Sequence, residues 1–320
     1  MHAIDTIGAT HGRATTHVSP LRIAPAERIR LRRHLTLLRR DEGHLQLGFD
    51  SVDATVIADP DGALTALLEV MDGRFRFTEL TVVAEQLGLR STDLDALVTT
   101  LAEADLLQPT DESRLPASSV RLVGLGAVGT RIGEQLLAAG LGRLLVVDPY
   151  ERTPWGGWTS GRERVHRAEH WSEPQIGAVA VTVVVASGLE VDRAVTTALT
   201  QEDHPHLLVR PRDRGAVVGP FVLPGRTSCL RCGDLARTRT DTAWPRILAQ
   251  LCRVPGEWHP LAADWAAALA TTQVLAHLAG RTPETAAATL ELGPVDWSWQ
   301  RRVWPADPAC GCCWSPRAEW

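Results

Sequence analysis

The stretch SSVRLVGLGAVGTRIGEQLLAAGLGRLLVVD, residues 118–148, decides the fold. Ser118–Val123 is an apolar run of strand length. It opens into Gly124-Leu-Gly126-Ala-Val-Gly129, passes through a helical pattern over Ala127–Ala139, and returns as a second apolar strand, Arg143–Val147, that ends at Asp148. A strand, a helix and a strand in this order make one βαβ unit of a parallel sheet. The glycines have separate tasks: Gly124 allows the tight turn, Gly126 lets a phosphate approach the backbone, and Gly129 permits close packing of helix on strand. Free N–H groups where the helix starts favour an anion. Asp148 is placed to hydrogen-bond a ribose hydroxyl. Gly124, Gly126, Gly129 and Asp148 are therefore the candidate nucleotide-binding residues.

Working outward, Val179–Ala186, Leu207–Val209 and Val217–Leu223 read as further buried strands, and Asp264–Ala279 as a long Ala-rich helix. The fold class expected for residues 113–320 is α/β and Rossmann-like. The N-terminal part has a different pattern. Residues 1–25 show no sustained periodicity and are expected to form a flexible tail. Three strand-like runs follow, Leu35–Arg39, His44–Phe49 and Ala54–Ala58, with polar turns between them. Helical patterns then cover Gly62–Met71, Phe77–Leu87 and Ser91–Leu107; Asp72-Gly73 ends the first and Gly88 the second. Three strands and three helices predict a small α+β winged-helix domain over residues 26–112, closed by a linker at Gln108–Ser113.

Five of the six cysteines form two distant groups, Cys229-Leu-Arg-Cys232 and Cys310-Gly-Cys312-Cys313. Tetrahedral zinc takes four soft ligands, and two short cysteine hairpins supply two each. Cys229, Cys232 and Cys310 give three thiolates, and Cys313, with Cys312 as the alternative, gives the fourth. Four thiolates leave no position for a catalytic water, so the expected role is structural. The sixth cysteine, Cys252, stands alone: it is either a nucleophile for an activated carboxyl or a small buried hydrophobe. The 33 basic residues are all arginine, so no step depends on a lysine. The net charge of −5 argues against a nucleic-acid binder that works by neutralising phosphates. No apolar run spans a membrane and no signal peptide is visible, which predicts a cytoplasmic protein.

On these residues the stretch from Val120 to Cys313 resembles the ThiF/MoeB type of adenylating domain, the fold of activators of ubiquitin-like proteins. Val217–Pro245 (VVGPFVLPGRTSCLRCGDLARTRTDTAWP) and the ending DPACGCC are similar, more specifically, to ThiF-like proteins of azole-forming (TOMM) peptide pathways. Those proteins carry an N-terminal winged-helix RiPP recognition element, and His44–Asp50 sits where its second strand would be. The resemblance implies leader-peptide binding and delivery of the precursor to a YcaO cyclodehydratase, and it allows a homodimer. The peptide would add as a strand at Ala54, Val56 and Ala58, with Leu94 and Leu97 lining a groove.

The chain also departs from active adenylating members. They have an N-L-x-R-Q segment after the ribose-binding acid, where this chain has PYERTPWGGWTSG after Asp148. They use a lysine on the ATP phosphates. They carry a D-x-T-D-N-like loop that helps to hold magnesium, and here VVVASGLEVDRAV has Ser187 and Gly188 at that place. Arg162, Arg164 or Arg167 could supply cations, but the acid is harder to replace. The expectation is a degenerate nucleotide site without ATP and Mg2+ chemistry. The competing expectation is an active ATP-dependent adenylating enzyme acting on a peptide carboxylate. A nicotinamide oxidoreductase is disfavoured by the zinc spacing. A winged-helix DNA binder is disfavoured by Asp93, Asp95, Glu103 and Asp105 on the third helix.

Overall fold

The computed structural model describes residues 28–32, 35–49, 54–104, 106–107, 115–148, 163–171 and 179–313. The expected tail, the linker and Arg162 lie outside them. The chain divides into two compact units, residues 1–112 and 113–320, each with its own core.

In the first unit, β1 (Arg28–Arg30) pairs antiparallel with β5 (Asp72–Arg76). A second, three-stranded antiparallel sheet holds β2 (Leu37–Arg39), β3 (His44–Leu47) and β4 (Thr55–Ala58), with β3 in the middle. Three helices complete the unit: α1 (Ala63–Val70), α2 (Phe77–Gln86) and α3 (Ser91–Glu103). Their apolar stripes meet in a core that includes Ile57, Leu67, Leu80, Leu94, Leu97 and Leu101. Asp59 ties the sheet to the first helix. It is wholly buried, and its carboxylate accepts the backbone N–H groups of Leu64 (2.9 Å) and Thr65 (3.1 Å), which α1 would otherwise leave unsatisfied. Two expectations change. Asp72-Gly73 does end α1, but the chain continues directly into β5. Helix α3 stops at Glu103, not Leu107, because Leu106 and Leu107 run extended beside Leu31 and Arg32, where the Arg32 N–H reaches the Leu106 carbonyl at 2.9 Å.

The second unit is built on an eight-stranded sheet of order β13-β12-β11-β10-β9-β6-β7-β8. The strands are β6 (Ser119–Val123), β7 (Arg143–Val147), β8 (Val165–Arg167), β9 (Val181–Val185), β10 (His206–Arg212), β11 (Gly215–Val222), β12 (Ala288–Leu292) and β13 (Trp299–Val303). From β8 to β10 all neighbours are parallel; from β10 to β13 all are antiparallel. Alternation along each strand sorts the two faces. Val120, Leu122, Val181, Val183, Leu207 and Val209 face α4 (Gly126–Ala138) and α8 (Pro260–Leu278). Val123, Val184 and Leu208 face α5 (Arg193–Gln201) through Val195 and Leu199. Helix α8 lies close to α4 because its buried stripe is mostly alanine, and Thr271 donates to Gln135 of α4 at 2.8 Å. Two more helices, α6 (Leu230–Thr240) and α7 (Trp244–Leu251), follow β11. Among the described residues no helix is long and apolar enough to cross a membrane.

Candidate functional site

The glycine loop lies at the carboxyl ends of the parallel strands, between β6 and α4. A Cβ on Gly124 (φ +87°) would come within 2.6 Å of the Val185 carbonyl oxygen, and one on Gly129 within 2.1 Å of the Gly124 carbonyl oxygen. Both positions are thus closed to side chains by backbone packing. Gly126 (φ +48°) faces open space. It borders a pocket of about 170 Å³, lined also by Asp148, Ala186, Ser187 and Trp258. Asp148 is buried at the end of β7. The described lining of this pocket contains no basic side chain.

Ser187 and Gly188 stand where an acid was sought, and the structure gives a physical reason for the glycine. The segment that follows α7 crosses directly over it. The Leu189 N–H donates to the carbonyls of Leu251 and Val254 (both 3.1 Å), and the Gly256 N–H donates to Ser187 (3.1 Å). A Cβ on Gly188 would meet the carbonyl oxygens of Cys252 and Leu251 at 2.8 and 2.9 Å. No carboxylate fits at this position while that crossing exists. Cys252 itself caps the C-terminal end of α7, with its thiol 3.5 Å from the Val191 carbonyl oxygen. Burial raises its pKa, which keeps the thiol neutral and works against a nucleophilic role.

The two cysteine groups, far apart in sequence, converge. The sulfurs of Cys229, Cys232, Cys310 and Cys312 all lie within 4.8 Å of one another. Cys229 and Cys310 approach to 3.6 Å, and Cys232 and Cys312 to 3.3 Å. Zinc–sulfur bonds of about 2.3 Å put tetrahedral sulfurs roughly 3.8 Å apart, so the tetrad fits such an ion. The fourth sulfur of this close group is that of Cys312, the alternative ligand, rather than that of Cys313. The reason is local: the Cys313 thiol turns away to the Thr227 carbonyl, 3.2 Å off. The Asp307 N–H points at the Cys232 sulfur (3.3 Å), an outer contact that suits a thiolate ligand. Hydrogen bonds from Cys229 and Cys312 pull the Cys232 pKa down to about 2. Burial and the neighbouring sulfurs push Cys310 up to about 12, and bonding to Cys229 and Cys232 raises Cys312 as well. Four thiols this close ionise together only around a cation, which is what a bound metal supplies. Cys229, Cys310 and Cys312 also border a pocket of about 460 Å³ between α5 and the start of α6.

A buried ion network surrounds this region. Glu190 meets Arg193 (3.1 Å) and Arg210 (3.2 Å), and Arg193 continues to Asp234 (2.7 Å), which also accepts the Trp244 indole N–H (3.0 Å). Arg237 stacks between Trp244 and Trp304, 4.7 and 4.9 Å from the two ring centroids. Sequence reasoning missed these residues. The one available signal was Asp234 and Arg237, spaced i, i+3 directly after the first cysteine pair.

In the first unit, β4 is an edge strand, bonded only to β3 among the described residues. The Asp59 N–H bonds the Gly43 carbonyl, and alternation then turns residues 55 and 57 toward β3. The N–H and C=O groups of Ala54, Val56 and Ala58 therefore face the open edge. Leu94 and Leu97 are fully buried in this unit's core, so their side chains serve packing in this state.

Solved structures share this architecture. E. coli MccB matches with a TM-score of 0.60 at 14% identity, over 91% of this chain and 98% of that one. The microcin C7 biosynthetic enzyme MccB in complex with N-formylated MccA matches with a TM-score of 0.60 at 15% identity, over 89% and 99%. The heterocyclase TruD matches with a TM-score of 0.58 at 14% identity, over 90% of this chain but only 43% of TruD. The chain has the MccB fold. No protein-family model matches the chain, and no curated protein does. Within this fold the glycine loop and the cysteine tetrad are separate sites, lined by different residues.

Proposed function

We propose that the chain binds the leader of a ribosomally made precursor peptide and presents it to a YcaO-type cyclodehydratase. The N-terminal unit is then a winged-helix recognition module, and the second unit a zinc-braced scaffold. The observation that carries this reading is the edge of β4 left open among the described residues, with the backbone groups of Ala54, Val56 and Ala58 directed toward it. An extended peptide added there gains a ladder of main-chain hydrogen bonds. Micromolar affinity needs about −8 kcal/mol, within reach of a short strand with a few buried side chains. A neighbour of the same fold was solved in complex with N-formylated MccA, which supports the peptide-binding reading.

Zinc, where bound, would be held by Cys229, Cys232, Cys310 and Cys312 and would supply cross-linking of two loops. In this reading the second unit is a scaffold and not a catalyst. The glycine-loop pocket of about 170 Å³ is below the roughly 300 Å³ at which ligand sites usually begin. Position 188 admits no acid, and the described lining offers no cation.

The runner-up is an adenylating enzyme. It is favoured by Asp148 and the glycine loop standing in register, and by an MccB structure determined with ATP.

Two measurements on the zinc-replete protein separate these readings. The leader encoded beside the gene should bind the wild type, and Val56→Pro, which deletes an outward N–H, should weaken it at least about tenfold. Val56→Ala keeps the N–H, adds no polar group to this buried position, and should bind like wild type. Unchanged affinity in Val56→Pro sinks strand addition. ATP–pyrophosphate exchange should stay flat with and without precursor; precursor-dependent exchange would establish the enzyme instead.

A further inference from the structure

The C-terminal cysteine group brings a fifth thiol to a centre with four places. Cys313 stands just outside the tetrad: its sulfur lies 3.7 Å from that of Cys312, within reach of the place that Cys312 fills. Both sulfurs also cluster at one acceptor. The Thr227 carbonyl oxygen is 3.2 Å from the Cys313 sulfur and 4.0 Å from that of Cys312. Gly311, just before the pair, has φ +70° and open space where a Cβ would stand. The 460 Å³ pocket borders Cys310, Gly311 and Cys312, so the loop has room on that side.

We propose that the metal centre has two ligand registers, Cys310-x-Cys312 and Cys310-x-x-Cys313, and that the metal passes between them. The inference rests on the tetrad being a metal centre. The exchange balances within the pair. With a metal bound, Cys313 would give its proton to Cys312 as it replaced that sulfur as a ligand, and Cys312 would take over the hydrogen bond to the Thr227 carbonyl. Charge and ligand count do not change. The consequence is a metal that stays bound when one ligand leaves, since the neighbouring thiolate holds the place.

Zinc per chain should be measured in wild type, Cys312→Ala, Cys313→Ala and the double variant, each purified from zinc-supplemented medium. The expected result is one zinc in the wild type and in each single variant, and none in the double. Loss of zinc in Cys312→Ala, or its retention in the double, overturns the two-register centre. A wild type that takes up no zinc would instead refute the metal reading beneath it. Because Cys312→Ala could misfold, a second readout leaves the tetrad intact. Zinc transfer from Cys313→Ser to a chromogenic chelator should run roughly tenfold faster than from wild type, because no second thiolate takes the place of a departing Cys312. Equal rates overturn the proposal.

Discussion

Gly188 and Gly129 are two glycines held for the same physical reason, a carbonyl oxygen where a side chain would go, yet they differ in what they forgo. At Gly129 nothing chemical is lost, because a helix simply needs to reach its strand. At Gly188 the crossing backbone of residues 251–256 occupies the volume in which an acid would have to sit. Gly126 is the contrast, with a positive φ but open space. Gly129→Ala should therefore destabilise the second unit by more than about 3 kcal/mol, since backbone must move to relieve the contact. Gly126→Ala should cost about 1 kcal/mol through φ strain alone. Thermal unfolding of the two variants checks the ranking, and similar melting temperatures would contradict it. The glycine motif was legible in the sequence because its spacing is rigid. The obstruction at Gly188 was not, because it comes from residues more than sixty positions later.

At the level of elements, β4 shows how direction within a strand separates two outwardly similar substitutions. The N–H of Ile57 points into the ladder with β3, and its side chain lies wholly in the core. Ile57→Pro should unfold the first unit, seen as lost protection of its amides in hydrogen exchange, whereas Val56→Pro should leave that protection largely in place. Equal protection in the two variants would mean that the ladder has the other phase. The strand itself was readable from Thr55-Val-Ile-Ala. The phase was not, because it depends on the Asp59–Gly43 bond that starts the pairing. Strand β5 escaped the sequence reading for a related reason: Asp72-Gly-Arg-Phe-Arg has no apolar alternation, and its extended form comes from pairing with β1. Helix α7 has no fully buried residue, so its amphipathic pattern had no core to announce it.

For the molecule as a whole, acid sensitivity follows from the face of the large sheet that carries Arg121, Thr182 and His206. His206 is fully buried, and burial lowers its pKa to about 4; His204 beside it falls to about 4 through burial and the nearby Arg121 charge. Both are neutral in the folded state, whereas the unfolded chain takes up protons below about pH 6.5. Their contribution is complete above that pH and is lost as pH falls through 4, so the melting temperature should drop between pH 6.5 and 4. His206→Asn removes one titration and should flatten the slope; an unchanged slope would point to other groups. The division into a parallel half and an antiparallel half came partly from the sequence, since the βαβ unit announces the former. The latter depends on β12 and β13, and β13 is exposed along its whole length with no apolar pattern to mark it.

With a metal held between them, the four cysteines would also make a ring of the chain. Cys229 and Cys310 are 81 residues apart, and α6, α7, α8, β12 and β13 all lie on the loop they close. With the metal in place, a protease that nicks an exposed bond inside that loop cannot separate the pieces: the last strands remain tethered through two thiolates on either side of the cut. Removing the ion opens the ring. The same nick then splits the sheet at its antiparallel margin, so the metal decides whether damage to this part of the chain is survivable.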